Sequence, residues 1–388
     1  MSATGGRGLP IPPSDEPFDS DARPVVRDVY VDFLRAFSIL VVVLWHWAFT
    51  ILLWSPSGPS ATSPLGFTEG LWVLTWLFQV LPLFFFVGGY VHLRAWQRAK
   101  GRGESLGRFV WTRVRRLSIP AVALAAVWIT LGLLLGGAFD IAWIGRAVLL
   151  VISPLWFIAV YLLLIALIPL WFSLQERFGA VVFVWMIGLT VVADVLRFRL
   201  GIDEIGYVNM LLVWGVAFQA GFYYERLVKA PRRVDSALML AGLFALVGLV
   251  GSGLYPGSMV GVPGETSNIA PPTLSIIALL AFQVGAAELA RPRMERWLER
   301  PRVRGVVEIV NRFAMPLFLF HGTGMAVGRF LIYFYNGEIG ERTVPDAAWW
   351  LQRPLYIGVS LLCTLPVIWI FARYGPRRAP AGPHIAPA

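Results

Sequence analysis

A single cysteine, Cys363, rules out an intrachain disulfide and any metal site built from several thiolates. Its place inside an apolar run reads as a small buried hydrophobe. Charge is scarce as well: Asp, Glu, Lys and Arg together make up 14% of the 388 residues. What charge there is leans basic, with a formal net of +10. This excess does not indicate nucleic acid, because the Lys and Arg fall in short loops between apolar runs, the distribution that orients a chain in a bilayer. The first residues, rich in Pro, Ser, Asp and Arg, lack the basic–apolar–cleavage order of a signal peptide. No loop is long enough to fold alone, the longest having about two dozen residues. No internal repeat is evident, which speaks against transporter folds built from inverted repeats.

What is present is hydrocarbon. Hydrophobic residues are 57% of the chain and mean hydropathy is +0.68, whereas soluble domains run nearer ~45–50% apolar. A span needs about 20 mostly apolar residues. Ten stretches qualify: roughly 33–54, 71–93, 118–136, 155–172, 179–196, 206–222, 236–255, 272–290, 311–333 and 349–373. The shorter apolar run 141–152, interrupted by Arg146, predicts a re-entrant or interfacial helix. Positive charge tests the count. The loop 55–70 has no Lys or Arg, 94–117 has eight, 226–233 has four, 256–271 has none and 291–312 has seven. The alternation predicts an even number of spans with both termini cytoplasmic. The expected fold is therefore an all-α polytopic transmembrane helical bundle of about ten spans. A membrane domain over 30–373 is flanked by a disordered cytoplasmic tail, 1–29, and a second cytoplasmic tail, 374–388. Trp54, Trp72, Trp143, Trp171, Trp349 and Trp350 fall near span ends, as an interfacial aromatic belt requires.

Ionisable groups within such spans are costly and mark function by default. His46 lies in the first span, about 20 Å above Asp32 at the helical rise. His321, in the ninth span, lies about 15 Å in. Two histidines at similar depth on helices running the same way can share a cavity. Arg35 precedes His46 by eleven residues, almost three turns, so both leave one helix face ~16 Å apart. Asp32, three residues before Arg35, can orient it. Arg113 and Arg116 form Arg-x-x-Arg before the third span, and guanidinium forks suit phosphate. Each has a plainer reading: a core histidine bonded to a neighbouring helix, a snorkelling arginine, or loop cations on lipid headgroups. Trp156 and Phe157, after Pro154, fit an aromatic belt. Gln79, Gln219, Gln283 and Asn209 read as interhelical hydrogen-bond partners, and Asp194 and Arg197 as an i,i+3 pair. His92, at the inner end of the second span, carries no assigned role. A proton-coupled secondary transporter using His46 and His321 as a relay is the alternative to an enzyme.

In combination these residues resemble the acyltransferase-3 family of bacterial membrane O-acyltransferases, over about 30–373. VDFLRAFSILVVVLWH resembles the family's first-span pattern of Asp, Arg and His, matched by Asp32, Arg35 and His46. PLFFFVGGY at 82–90 resembles an apolar stretch ending in Ser-Gly-Tyr, with Gly88 in place of the serine. Arg113-Val-Arg115-Arg116 resembles the family's Arg-x-x-Arg, matched by Arg113 and Arg116, with Arg115 the alternative to Arg116 because the distance to Pro120 can vary. Pro154-Leu155-Trp156-Phe157 resembles its Trp-Phe segment, and Phe320-His321 its late-span histidine. The resemblance implies an enzyme of the bacterial inner membrane that needs no bound cofactor or metal. Acyl-CoA, acetyl by default, is the co-substrate at the cytoplasmic side. A hydroxyl of a cell-envelope glycan or glycolipid is the acceptor outside. His46 and Arg35 are the expected catalytic residues, Arg113 and Arg116 the donor-binding ones. His321, Trp156 and Asp32 are expected to bind the acceptor or assist. Many relatives carry a fused SGNH-type domain. Here about fifteen residues follow the last span, so the expectation is action alone or with a separate periplasmic partner.

Overall fold

The computed structural model describes residues 28–55, 58–139, 141, 143–336 and 345–371. The expected tails lie outside these, apart from Asp28 and Val29, which open the first helix rather than close a tail. Asp28 caps that helix, its carboxylate accepting from the backbone N–H groups of Tyr30 and Val31.

The chain runs through α1 (Val29–Phe49), an antiparallel hairpin of β1 (Ile51–Ser55) and β2 (Gly58–Thr62), α2 (Leu74–Phe78), α3 (Leu81–Gly101) and α4 (Leu106–Phe139). Next come α5 (Ile144–Ile152), α6 (Leu155–Ala166), α7 (Ile168–Phe178), α8 (Val181–Leu200), α9 (Asn209–Ala220) and α10 (Tyr224–Val228). Four long helices finish it: α11 (Arg232–Gly251), α12 (Leu274–Leu298), α13 (Pro301–Asn336) and α14 (Ala347–Phe371). Ten helical segments among the described residues are long and apolar enough to cross a bilayer. The protein is a polytopic helical membrane protein, as its apolar runs predict. Its periphery is itself apolar: Leu133 is 72% exposed and Trp369 80%. In water such a girdle would aggregate, whereas in lipid it is the natural outer surface.

Ten passes give the bundle two faces. One, the basic face, holds the N-terminus of α1 and the cation-rich α3–α4 and α12–α13 connections. The other holds the β-hairpin and the loop 252–273. That loop is pinned rather than draped. Met259 N–H donates to Thr75 Oγ1 at 2.8 Å, Trp76 Nε1 to the Gly257 carbonyl at 2.9 Å and Asn268 Nδ2 to the Ser258 carbonyl at 2.9 Å.

Four sequence expectations change. The run 141–152 is no separate re-entrant helix. Its α5 continues into α6 past Pro154, and together 144–166 make the fourth crossing. Proline removes a backbone donor and breaks the ladder there without ending the pass. Trp171 and Trp349 are each 2% exposed, in the core rather than a belt. Arg197 acts on Asp194 through its charge alone, without a close ion pair. It reaches Asp203 at 3.7 Å and the Pro271 carbonyl at 3.4 Å, while Asp194 accepts from Asn209, Tyr255 and Leu274 N–H. Finally Arg113 and Arg116 lie on α4 itself, one turn apart, not in a loop. Gln219 and Asn209 do bridge helices, Gln219 Nε2 donating to Gln175 Oε1 at 3.3 Å and Asn209 Nδ2 to Asp194 Oδ1 at 2.8 Å. Gln283 Nε2 reaches the Gln79 carbonyl at 2.9 Å, whereas the Gln79 side chain donates to the Met259 carbonyl in the 252–273 loop.

Close backbone approach sets α3 against α9. A Cβ at Gly89 would collide with the Phe218 carbonyl oxygen. Gly89→Ala is expected to destabilise the bundle by at least ~1–3 kcal/mol through overpacking, lowering the unfolding temperature in detergent. Gly101→Ala, at a position with nothing within 4 Å, is the control that leaves it unchanged.

Candidate active site

His46 lies one turn before the end of α1 and opens into a cavity of about 330 Å³ on the hairpin side. His321 stands on α13, 1% exposed. The two imidazoles meet: His46 Nδ1 is 3.0 Å from His321 Nε2, with ring centroids 4.9 Å apart. Trp47 Nε1 donates to the His321 carbonyl at 3.1 Å, fastening α1 to α13 at the same level.

Elementary hydrogen bonding then fixes the tautomers. His321 Nδ1 faces the Phe318 carbonyl at 2.5 Å, and a carbonyl only accepts, so Nδ1 carries the proton. With both rings neutral, His321 Nε2 presents a lone pair. The proton between the rings therefore sits on His46 Nδ1, leaving the lone pair of His46 on Nε2. A base whose second nitrogen is hydrogen-bonded in this way is oriented and held in one tautomer. Sequence reasoning placed both histidines at one depth. The direct contact, and the Phe318 carbonyl behind it, depend on tertiary packing.

Toward the basic face lies a second cavity of about 310 Å³. Arg35, Arg113 and Arg116 line it, whereas Arg115 is not among its lining residues. Arg35 is held by two neighbours. Its NH2 meets Asp32 Oδ1 at 3.3 Å and its Nε donates to Asn311 Oδ1 at 2.7 Å. Asn311 Nδ2 donates in turn to the Asp32 carbonyl at 2.7 Å. Asp32 thus orients Arg35 and makes no contact with His46, as their separation along the helix requires. Arg113 lays its guanidinium over the Phe109 ring, 3.4 Å from the centroid, and donates to the Phe109 carbonyl at 3.0 Å.

Two features of this cavity have no precedent in the sequence reading. His92 lines it, its Nδ1–H donating to the Gly88 carbonyl at 2.8 Å. Tyr161 lines it too, against Gly88, where an added Cβ would stand 3.0 Å from both Tyr161 Cε2 and its hydroxyl oxygen. A serine at 88 would press on that ring, so the glycine is matched to the tyrosine. Two of the chain's four histidines therefore line these cavities, and a third, His321, bonds to one of them. Only rarity of imidazole within apolar spans could have flagged His92, and Asn311 carried the same faint signal.

Trp156 faces the hairpin-side cavity rather than a lipid interface. Phe157 lines both cavities, as does Phe318, and no other described residue is shared.

A lone pair on His46 Nε2 in one cavity can accept a proton, and the guanidiniums lining the other can hold an anion. No curated protein and no solved structure matches the chain. A family does: residues 28–373, nearly the whole membrane region and every motif residue above, match Acyl_transf_3, an acyltransferase domain. The protein belongs to that family of acyltransferases.

Proposed function

We propose that this membrane acyltransferase takes an acyl group, acetyl by default, from cytoplasmic acyl-CoA and delivers it to a hydroxyl of a cell-envelope glycan or glycolipid. It does so across the inner membrane of a bacterium, with the basic face and both termini cytoplasmic. The observation that carries this reading is the pair of cavities, one lined by Arg35, Arg113 and Arg116 and the other by His46.

In this mechanism the phosphates of CoA stay at the basic face, held by Arg113 and Arg116 and aided by Arg35. The pantetheine arm fills the cavity past His92 and Tyr161 and carries the thioester toward His46. His46 Nε2 takes the proton of the acceptor hydroxyl as its oxygen attacks the thioester carbonyl carbon. His321 accepts from His46 Nδ1–H throughout and stabilises the imidazolium that forms. Collapse of the tetrahedral intermediate breaks the C–S bond, and the proton leaves with the CoA thiol. Attack by His46 itself, giving an acyl-imidazole that the alcohol then cleaves, uses the same nitrogen. Acid-quenched enzyme carrying the acyl label on His46 would identify that route.

The test incubates purified protein with labelled acetyl-CoA and a membrane lipid extract, with mass spectrometry of the products. Label on an envelope glycan or glycolipid is expected. Proton-coupled solute uptake into vesicles with no acyl-CoA consumed would overturn the reading. In the same assay Arg113→Ala is expected to raise the KM for acyl-CoA about tenfold or more, the loss of one charge-assisted phosphate contact. An unchanged KM would assign that arginine to topology alone.

A further inference from the structure

The two cavities meet at a wall of two aromatic rings. Phe157 and Phe318 are the residues common to both linings, with ring centroids 4.8 Å apart. Both are nearly sealed, at 3% and 4% exposure. Phe157, in the first turn of α6, is braced by Phe84 at 5.3 Å, Phe85 at 5.1 Å and a near-parallel Tyr161 at 6.1 Å. Phe318 projects from α13 one turn before His321, and its carbonyl is the acceptor that fixes the His321 tautomer. In this closed arrangement the rings leave no room for a chain between them, so a donor has to part them. On a path from the basic-side cavity to the hairpin-side one by way of the residues common to both, the pair comes before His46.

We infer that Phe157 and Phe318 form the barrier that sets the length of the acyl group transferred and keeps water off the thioester until an acceptor is in place. This rests on the reading of the basic-side cavity as the donor site. The argument is one of order in space. The acyl group leads the thioester, so it has to part these rings before the carbonyl can come within reach of His46 Nε2. A two-carbon group asks little of the packing. Each further methylene asks the braced aromatic cluster to yield, and one methylene in a close-fitting apolar pocket discriminates by roughly 10- to 200-fold. Water in the hairpin-side cavity faces the same wall. Its attack on the thioester would release free acid and CoA thiol, wasting the donor, and the wall keeps the two apart.

The experiment compares wild type with Phe318→Ala, Phe157→Ala and Phe318→Leu, each first shown to be monodisperse in detergent. Acetyl-CoA and butyryl-CoA serve as donors. Two rates are read for each: transfer to the membrane lipid extract, and CoA thiol release with no acceptor present. Either alanine variant is expected to raise the butyryl-to-acetyl transfer ratio at least about tenfold and to speed acceptor-free release severalfold, with Phe318→Leu between it and wild type. If one alanine variant fails to fold, the other and the leucine variant carry the test. Folded variants with the wild-type donor ratio and the wild-type release rate would overturn the inference. Wild-type protein that consumes neither donor with the extract present would instead overturn the acyl-transfer reading beneath it.

Discussion

His46→Ala is expected to lower acyl transfer by about a hundredfold to ten-thousandfold, the contribution typical of a positioned general base. The variant should still fold. His46 is open to the hairpin-side cavity, so its removal enlarges a space that already exists instead of opening a void in a packed core. It strands the buried His321 Nε2, whose lost partner costs about 1–3 kcal/mol, and a water from the cavity can take its place. The measurement is turnover of labelled acyl-CoA, read beside the unfolding temperature in detergent. Near-normal turnover in a folded variant would make His46 a structural residue and end the mechanism. Binding of the donor is expected to survive, because the arginines proposed to hold its phosphates lie at the other end of α1 and on α4.

His321→Ala carries the second large effect. His321 touches neither substrate in this mechanism and works through His46, as a positioning residue. Hydrogen bonds to a charged group contribute about 1.5–3 kcal/mol, so losing the one that supports the His46 imidazolium should cut kcat roughly 10- to 150-fold. The KM for acyl-CoA should hardly move, since the basic-side cavity is untouched. His321→Gln should restore part of the loss, because its amide oxygen can accept the His46 Nδ1–H. A purely structural role predicts a different pattern: lowered stability, parallel changes in kcat and KM, and no rescue by glutamine.

The sequence made some of this legible and not the rest, for physical reasons. Ten spans can be counted because lipid demands long apolar runs with every backbone group bonded internally, and such runs are visible one residue at a time. Arg35 and His46 could be set on one face because they share a helix, where spacing dictates direction. The His46–His321 contact joins residues 275 positions apart, and no local rule specifies which face α13 turns to α1. The same limit applies to Asn311 reaching Arg35 and to Arg197 reaching Asp203 rather than its helical neighbour Asp194. Trp171 and Trp349 were misplaced because indole serves equally well as interfacial anchor and as core filler, and only packing decides. Pro154 marked a break in the backbone ladder. Whether the chain turns back there or carries on depends on what receives α5, and α4 and α13 do: Gly132 and Gly322 sit against Val148 and Val151.

Phe318 divides two tasks between atoms of different genetic standing. Its ring closes the passage, and its carbonyl anchors the imidazole relay. A codon change can replace the ring and can never delete the carbonyl. Donor preference at this position can therefore drift, or be retuned by design, while the proton-handling apparatus a single turn away keeps its alignment.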